Sequence, residues 1–304
     1  MINRETVIQA HDLSKFYGEF EALHAVSFRV EGPCITGFLG RNGAGKSSTI
    51  KMLLGMIKPT SGTGKVLGHQ IDDPKGSLLI RRRVAYVGED KGLYAYMTVE
   101  QLIRFTRSFY PDWRAEIEQR LLNAYQLPLR RKVKALSKGM RTKLALLLAL
   151  SRRPALLILD EPTEGLDPVS VEELLQTLAG ITAEGTAIFF SSHQLGEVER
   201  IADSILMIDR GRIVLDVLLD TLRENYRRIT VGFDTQPPEA KFQIPGVEHI
   251  RASGRQLTVL ASRNADDVVE RARSLAAVSV EVQPVTLREV FLDTIQLDAV
   301  SEKR

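Results

Sequence analysis

The sequence predicts an α/β protein with a parallel core sheet, an antiparallel β region before it and a small α+β domain after it. Three observations carry that reading. The runs "ALLILD" (155–160), "TAIFFSS" (186–192) and "SILMID" (204–209) are continuously apolar, as expected of parallel strands buried on both faces. Helical stretches at 168–183 and 194–202 fall between them and give the α/β alternation. From about Leu222 the texture shifts to short strands and two helices, setting a small domain of residues 222–304 beside a main domain of residues 1–221.

The elements follow in order. "TVIQAHDL", "AVSFRV" and "PCITGFLG" read as strands, with Cys34 a buried strand residue, and no helical period precedes Lys46. Residues 47–56 read as a helix, "VAYVG" (84–88) as a strand, and 98–108, 113–125 and the strongly apolar 137–150 as helices. "DRGRIVLD" closes the main domain with a turn at Arg210 and Gly211 between two short strands. Beyond it, "RRITVGF", "QLTVLA" and "VSVEVQPV" look like strands, 265–276 and 286–295 like helices, and Pro237 and Pro238 mark a loop.

Composition narrows the function classes. At 304 residues, 44% hydrophobic and 26% charged, the chain is neither disordered nor fibrous, and it is long enough for two domains. Its 41 Lys plus Arg against 38 Asp plus Glu leave only +3, far from the basic balance of a nucleic-acid binder. Cys34, the sole cysteine, excludes an internal disulfide and suits a reducing, cytoplasmic compartment. "MINRETVIQAHDL" lacks the apolar core of a signal peptide, and "LALLLAL" (144–150) is far short of the roughly 20 residues that span a bilayer. Any membrane span is therefore expected from another chain.

"GRNGAGKSS" (40–48) fits G-x-x-x-x-G-K-[ST] through Gly40, Gly45, Lys46 and Ser47, with a strand before it and a helix after it. In that context the backbone N–H groups of Arg41, Asn42, Gly43, Ala44, Gly45, Lys46, Ser47 and Ser48 can ring phosphates at a helix N-terminus. Lys46 is expected on the β and γ phosphates and the Ser47 hydroxyl on magnesium. "LLILDE" delivers two carboxylates at the C-terminal edge of an apolar strand, where parallel sheets bind ligands. Asp160 can hold magnesium, and Glu161 can orient or deprotonate an attacking water.

With these motifs, residues 5–215 resemble the ATP-binding subunit of an ABC transporter. The family's segments occur in its order: the phosphate loop, a signature "LSKGM" (136–140), "LLILDEP" (156–162), "EGLD" (164–167) and "SSH" ending at His193. The resemblance implies a P-loop NTPase fold of ABC type with a helical signature subdomain, and ATP with Mg2+ as nucleotide and metal. By it, Tyr17 in "SKFYG" stacks on adenine, although a Tyr beside Phe16 taken alone more often packs. It also implies a head-to-tail dimer in which Ser137 and Gly139 of one copy close over the γ-phosphate held by the other. His193 then holds the γ-phosphate and the water, and Asp167 ties the two sites together.

Two departures stand out. Glu89 occupies the position of the family's magnesium-side glutamine; a carboxylate accepts but cannot donate, and Glu89 is expected to remain a magnesium-side ligand. Lys138 and Met140 stand where glycine and glutamine are commonest, so Lys138 either adds a cation near the partner's phosphates or lies in solvent. Leu93, Tyr94, Tyr96 and Met97 in the loop "DKGLYAYMTVE" either pack inward or, with the composition of a protein interface, meet the permease that the family receives in this region. The basic runs 81–83, 130–132 and 152–153 read as solvated faces, with lipid headgroups as a second reading.

The implied function is an ATPase subunit, homodimeric or paired with a homologous subunit, driving transport through separate membrane permeases. Its place is cytoplasmic, on the inner face of the membrane. A single nucleotide-binding domain with a C-terminal extension resembles bacterial multidrug, antibiotic or lipid exporters. The alternative is a soluble ABC-type ATPase acting on ribosomes or DNA. The ribosome-acting type carries two such domains per chain, and the DNA-repair type inserts a long coiled coil between loop and signature; neither feature is here. A switch GTPase is excluded by the missing N-K-x-D segment.

Overall fold

The computed structural model describes residues 5–301, with side chains as far as Thr294. Backbone contacts divide the chain into two compact units between Asp216 and Val217. In the first, β1 (Glu5–Tyr17), β2 (Phe20–Gly32), β3 (Ile35–Leu39), α1 (Lys46–Leu53), β4 (Ser61–Val66), β5 (His69–Gln70), α2 (Pro74–Arg83), β6 (Val84–Val87), α3 (Val99–Arg107), α4 (Ala115–Tyr125) and α5 (Lys138–Leu150) succeed one another. β7 (Leu156–Asp160), α6 (Pro168–Ala183), β8 (Ala187–Ser192), α7 (Leu195–Ile201), β9 (Ser204–Asp209) and β10 (Arg212–Leu218) follow.

The two predicted layers are both present. β2-β1-β4-β5 form an antiparallel sheet, and β10-β9-β3-β8-β7-β6 form the core sheet, parallel at the β9-β3-β8-β7-β6 pairings. The apolar runs foreseen as doubly covered strands become β7, β8 and β9; every residue of β7 and β8 is buried, as is β9 after Ser204, and β3 is buried throughout as well. Phe28 of the antiparallel sheet stacks with Phe38 and Phe189 of the core sheet, which joins the layers into one core. Each such ring contributes about 1.5–3 kcal/mol by burial.

Helix starts are chemically marked. Asp73 caps α2 with Pro74 at its first position, Thr98 and Gln101 close a capping box on α3, and Ser137 caps α5 by accepting from the Met140 N–H. The expected helix at 168–183 is α6, opened by Asp167 and Pro168. Between β9 and β10, Arg210 and Gly211 both take positive φ, the backbone of a tight hairpin turn.

The structure differs from the sequence reading in several places. Cys34 is buried but lies in the bend just before β3, outside the strand. α2, β4 and β5 fill the stretch between residues 57 and 83, and the helix expected at 47–56 stops at Leu53.

The second unit opens on α8 (Leu219–Asn225), β11 (Arg227–Gly232), β12 (Val247–Ser253), β13 (Gln256–Ala261), α9 (Ala265–Ser274), β14 (Ser279–Pro284) and α10 (Leu287–Ser301). Its sheet, ordered β12-β13-β11-β14, is antiparallel at every pairing. Ile229 and Val231 of β11 meet Leu257 and Val259 of β13 and Val268 and Ala272 of α9 in a separate core. Arg228, on the other face of β11, donates to Glu289 Oε1 at 2.6 Å and Asp293 Oδ2 at 2.9 Å and so fixes α10.

Candidate functional site

The phosphate loop connects the buried end of β3 to α1. Gly40 is required by space, since a Cβ there would sit 2.5 Å from the Ile208 carbonyl oxygen. Gly45 is required by conformation as well, with φ +111° and a Cβ that would meet Leu23 at 2.6 Å. Gly45 is also the N-cap of α1, and with no side-chain cap the first-turn N–H groups stay free for an anion. Lys46 is buried and folds back on the loop, Nζ donating to the Gly40 carbonyl at 2.7 Å.

β7 places Asp160 and Glu161 opposite that loop. Asp160 Oδ1 accepts from Ser191 Oγ at 2.6 Å and Oδ2 from Ser47 Oγ at 3.3 Å, so a hydroxyl and a carboxylate converge. Glu161 is buried in a left-handed conformation, φ +46°, held by N–H donation to the carbonyl and hydroxyl of Ser191. A non-glycine residue kept there marks a backbone shaped by its site. Its Oε1 has no hydrogen-bond partner among the described residues, although Lys46 Nζ lies 3.2 Å away as an ion pair. Its Oε2 sits 2.9 Å from His193 Nδ1 and accepts weakly from the His193 N–H at 3.3 Å.

A cavity of about 400 Å³ gathers eleven of the sequence-predicted residues: Tyr17, Arg41, Asn42, Gly43, Gly45, Lys46, Ser47, Ser48, Glu89, Asp160 and Glu161. Gly40 and Ala44 lie buried at the loop's base. Tyr17, about half exposed, reaches the loop through its hydroxyl, 3.3 Å from Ser48 Oγ. Phe20, exposed on the same wall, was not singled out from the sequence, though "FYGEF" holds it three residues after Tyr17.

Glu89 is engaged with another acid. A hydrogen bond to Glu164, then repulsion from it, raises the Glu89 carboxyl above its ordinary range. Nearby, burial and then the charges of Asp160, Asp90 and Glu89 push the Tyr86 phenol up to about 12, so it stays a neutral hydroxyl. Burial drives the Lys91 pKa downward, and its Nζ has no hydrogen-bond partner among the described residues. Neither Glu164 nor Lys91 was marked by the sequence as part of this cluster.

Ser137 and Gly139 are elsewhere. With Asp167, Ser170, Lys138 and Met140 they line a second cavity of about 300 Å³ that shares no residue with the first. Lys138 is partly exposed and pairs with Glu164 at 3.8 Å. Asp167 spends its carboxylate on the start of α6, accepting from Val169 N–H, Ser170 N–H and the Ser170 hydroxyl, which lowers its pKa.

The donors at the first cavity suit magnesium better than a protein-caged metal. Among the described residues no group of three or more His, Cys, Asp or Glu is placed to hold a metal. Ser47 and Asp160 instead offer two hard oxygens beside a phosphate loop, the arrangement magnesium uses when substrate phosphates and water complete its octahedron.

Comparisons with known proteins agree with this geometry. The family model described as "ABC transporter" matches residues 23–164. The chain is 31% identical to the ABC transporter ATP-binding protein YtrB of Bacillus subtilis, covering 94% of this chain and 97% of that one. It is 32% identical to the Nod factor export ATP-binding protein I of Neorhizobium galegae, covering 94% and 84% respectively. A solved ATP-binding subunit of an ABC transporter superposes with TM-score 0.66 at 34% identity, over 72% of this chain and 92% of its own. Fold, phosphate loop and relatives agree, and the chain belongs to the ABC transporter ATP-binding protein family, whose members are ATPases.

Proposed function

We propose that the chain hydrolyses ATP as one half of a head-to-tail pair and that the pair drives export through separate membrane subunits. The observation that carries this reading is the division of the site. The phosphate loop, Asp160 and Glu161 line one cavity, while Ser137 and Gly139 line another with no residue in common. A second copy, turned head to tail, brings its Ser137 and Gly139 to the first copy's loop and completes both sites at once.

In that assembly Tyr17 stacks on adenine, the loop N–H groups and Lys46 hold the phosphates, and Glu161 takes the proton of the attacking water. His193, already against Glu161 Oε2, orients that base and reaches the γ-phosphate. Ser47, Asp160 and Glu89 would hold magnesium, which would neutralise charge developing on the phosphates. Export is supported by the name of the Nod factor relative, which matches this chain along 94% of its length. Residues 222–304 serve as an accessory domain.

No helix among the described residues is long and apolar enough to cross a membrane, so the membrane subunits are separate chains in this reading. An exposed aromatic chain suits their docking: Tyr94 contacts Tyr96 and Phe105, and Phe105 contacts Phe109 edge-on. Tyr96 and Phe109 are each more than 60% exposed, a large apolar cost unless a partner covers them. Leu93 and Met97, expected with them, are half-buried.

The test is capture from a detergent extract of the host, using the Glu161→Gln chain with ATP and magnesium. A polytopic membrane protein in stoichiometric amount is the expected catch; ribosomes or DNA without one contradict the transport reading. Replacing Tyr94 and Tyr96 by serine is expected to weaken that capture by at least about tenfold, as loss of interface anchors does. ATP hydrolysis by the isolated chain should stay unchanged. Undiminished capture would place the docking surface elsewhere.

A further inference from the structure

A cavity of about 830 Å³ lies at the opposite, N-terminal edges of β6, β7 and β8, and no part of the ATP site lines it. Six arginines do: Arg82 and Arg83 from the end of α2, Arg114 just before α4, Arg120 within it, and Arg152 and Arg153 after α5. Only two carboxylates, Asp112 and Glu184, share the lining. Three helices, α2, α5 and α6, end here, and their C-terminal partial charges, roughly half a unit each, account for some of this positive charge. They do not account for six guanidiniums.

The pairing pattern leaves most of the charge unspent. Arg120 pairs with Glu184 at 3.2 Å, and Arg114 only loosely with Glu116 at 3.7 Å. No carboxylate forms an ion pair with Arg82, Arg83, Arg152 or Arg153 among the described residues. Arg152 is built in: its guanidinium stacks 3.9 Å from the Tyr110 ring centroid, and Nη2 donates to the Arg81 and Val84 carbonyls. Its Nε is buried without an acceptor among the described residues. Arg152 thus carries a charge that no described carboxylate offsets, although its Nε itself is closed off from the cavity.

We propose that this cavity binds a soluble small molecule carrying two or more phosphate groups. Guanidinium forks match phosphate oxygens two at a time, and six around one cavity exceed what a single phosphate can use. The volume falls within the range of small-molecule pockets, and Ile117, Leu121 and Ile181 give the organic part of such a ligand an apolar wall. A bound anion would bridge α4 to the ends of α2 and α5 and so brace the helical segment against the core sheet. The basic runs 81–83 and 152–153, separated by some seventy positions, thereby acquire a common purpose.

The test titrates inorganic tripolyphosphate calorimetrically into the full chain carrying Lys46→Ala, without magnesium, so that the phosphate loop is weakened and any residual binding there is unaffected by changes at the arginines. One site per chain is expected, with orthophosphate at least about tenfold weaker. Adding Arg82→Ser and Arg153→Ser, both exposed and outside any ion pair among the described residues, should weaken tripolyphosphate by at least about tenfold while circular dichroism melting stays unchanged. No binding, or an affinity indifferent to these substitutions, overturns the proposal. Flotation with phosphatidylglycerol vesicles separates the sources: binding to vesicles but not to tripolyphosphate assigns the arginines to lipid headgroups and overturns the soluble ligand.

Discussion

Glu161→Gln is expected to lower kcat for ATP hydrolysis by about 10²–10⁴-fold, the range of a positioned general base. The substitution keeps the shape of the side chain but removes its basicity and the negative charge that faces Lys46. Glutamine's oxygen still reaches His193 and its nitrogen takes the other position, but an amide cannot accept the proton of water. ATP affinity should stay within about threefold, because the carboxylate belongs to the chemical step. Single-turnover hydrolysis with equilibrium binding measured alongside checks both halves. A loss of binding equal to the loss of rate would make Glu161 a structural anchor of the loop.

Lys46→Ala is expected to weaken ATP binding by about a hundredfold or more. The ammonium donates to the Gly40 carbonyl at 2.7 Å and lies 3.2 Å from Glu161, poised inside the loop. Charge-assisted hydrogen bonds contribute roughly 1.5–3 kcal/mol each, and two to the β and γ oxygens suffice for that factor. The nucleotide-free chain should also melt lower, since Glu161 is buried and loses its cationic neighbour. Nucleotide fluorescence titration and thermal melting report the two effects separately. An affinity within about threefold of the parent would remove Lys46 from the phosphates.

The fold was legible where physical signals are local. β3, β7 and β8 are buried on both faces, so their runs are apolar without alternation, and α6 begins at the Asp167 and Pro168 pair that marks it. α2 was hidden for the same reason in reverse. Ile80 is its one buried large apolar residue while Leu78 and Leu79 are exposed, so no 3.6-residue stripe shows, and only the Asp73-Pro74 cap announces it. β1 is broken by register shifts around Leu13 and a positive φ at Asp12, which destroy a clean period of two.

The site divides likewise. The phosphate loop and the carboxylates after β7 are compact motifs that sequence alone locates. Ser191, which holds Asp160, is 31 residues away from it, and Glu164 meets Glu89 only because the chain folds. The arginine cavity draws on α2, α4 and the end of α5, so its parts read separately as solvated faces.

The most direct test of the composite site uses Glu161→Gln chains bearing Asn42→Cys on the loop and Lys138→Cys in the signature, treated with a short thiol cross-linker. Cys34 is buried and does not compete. With ATP and magnesium the head-to-tail pair predicts covalent dimers, lost when either new cysteine is omitted. Cross-links confined within single chains, or dimers that form equally without ATP, would contradict it.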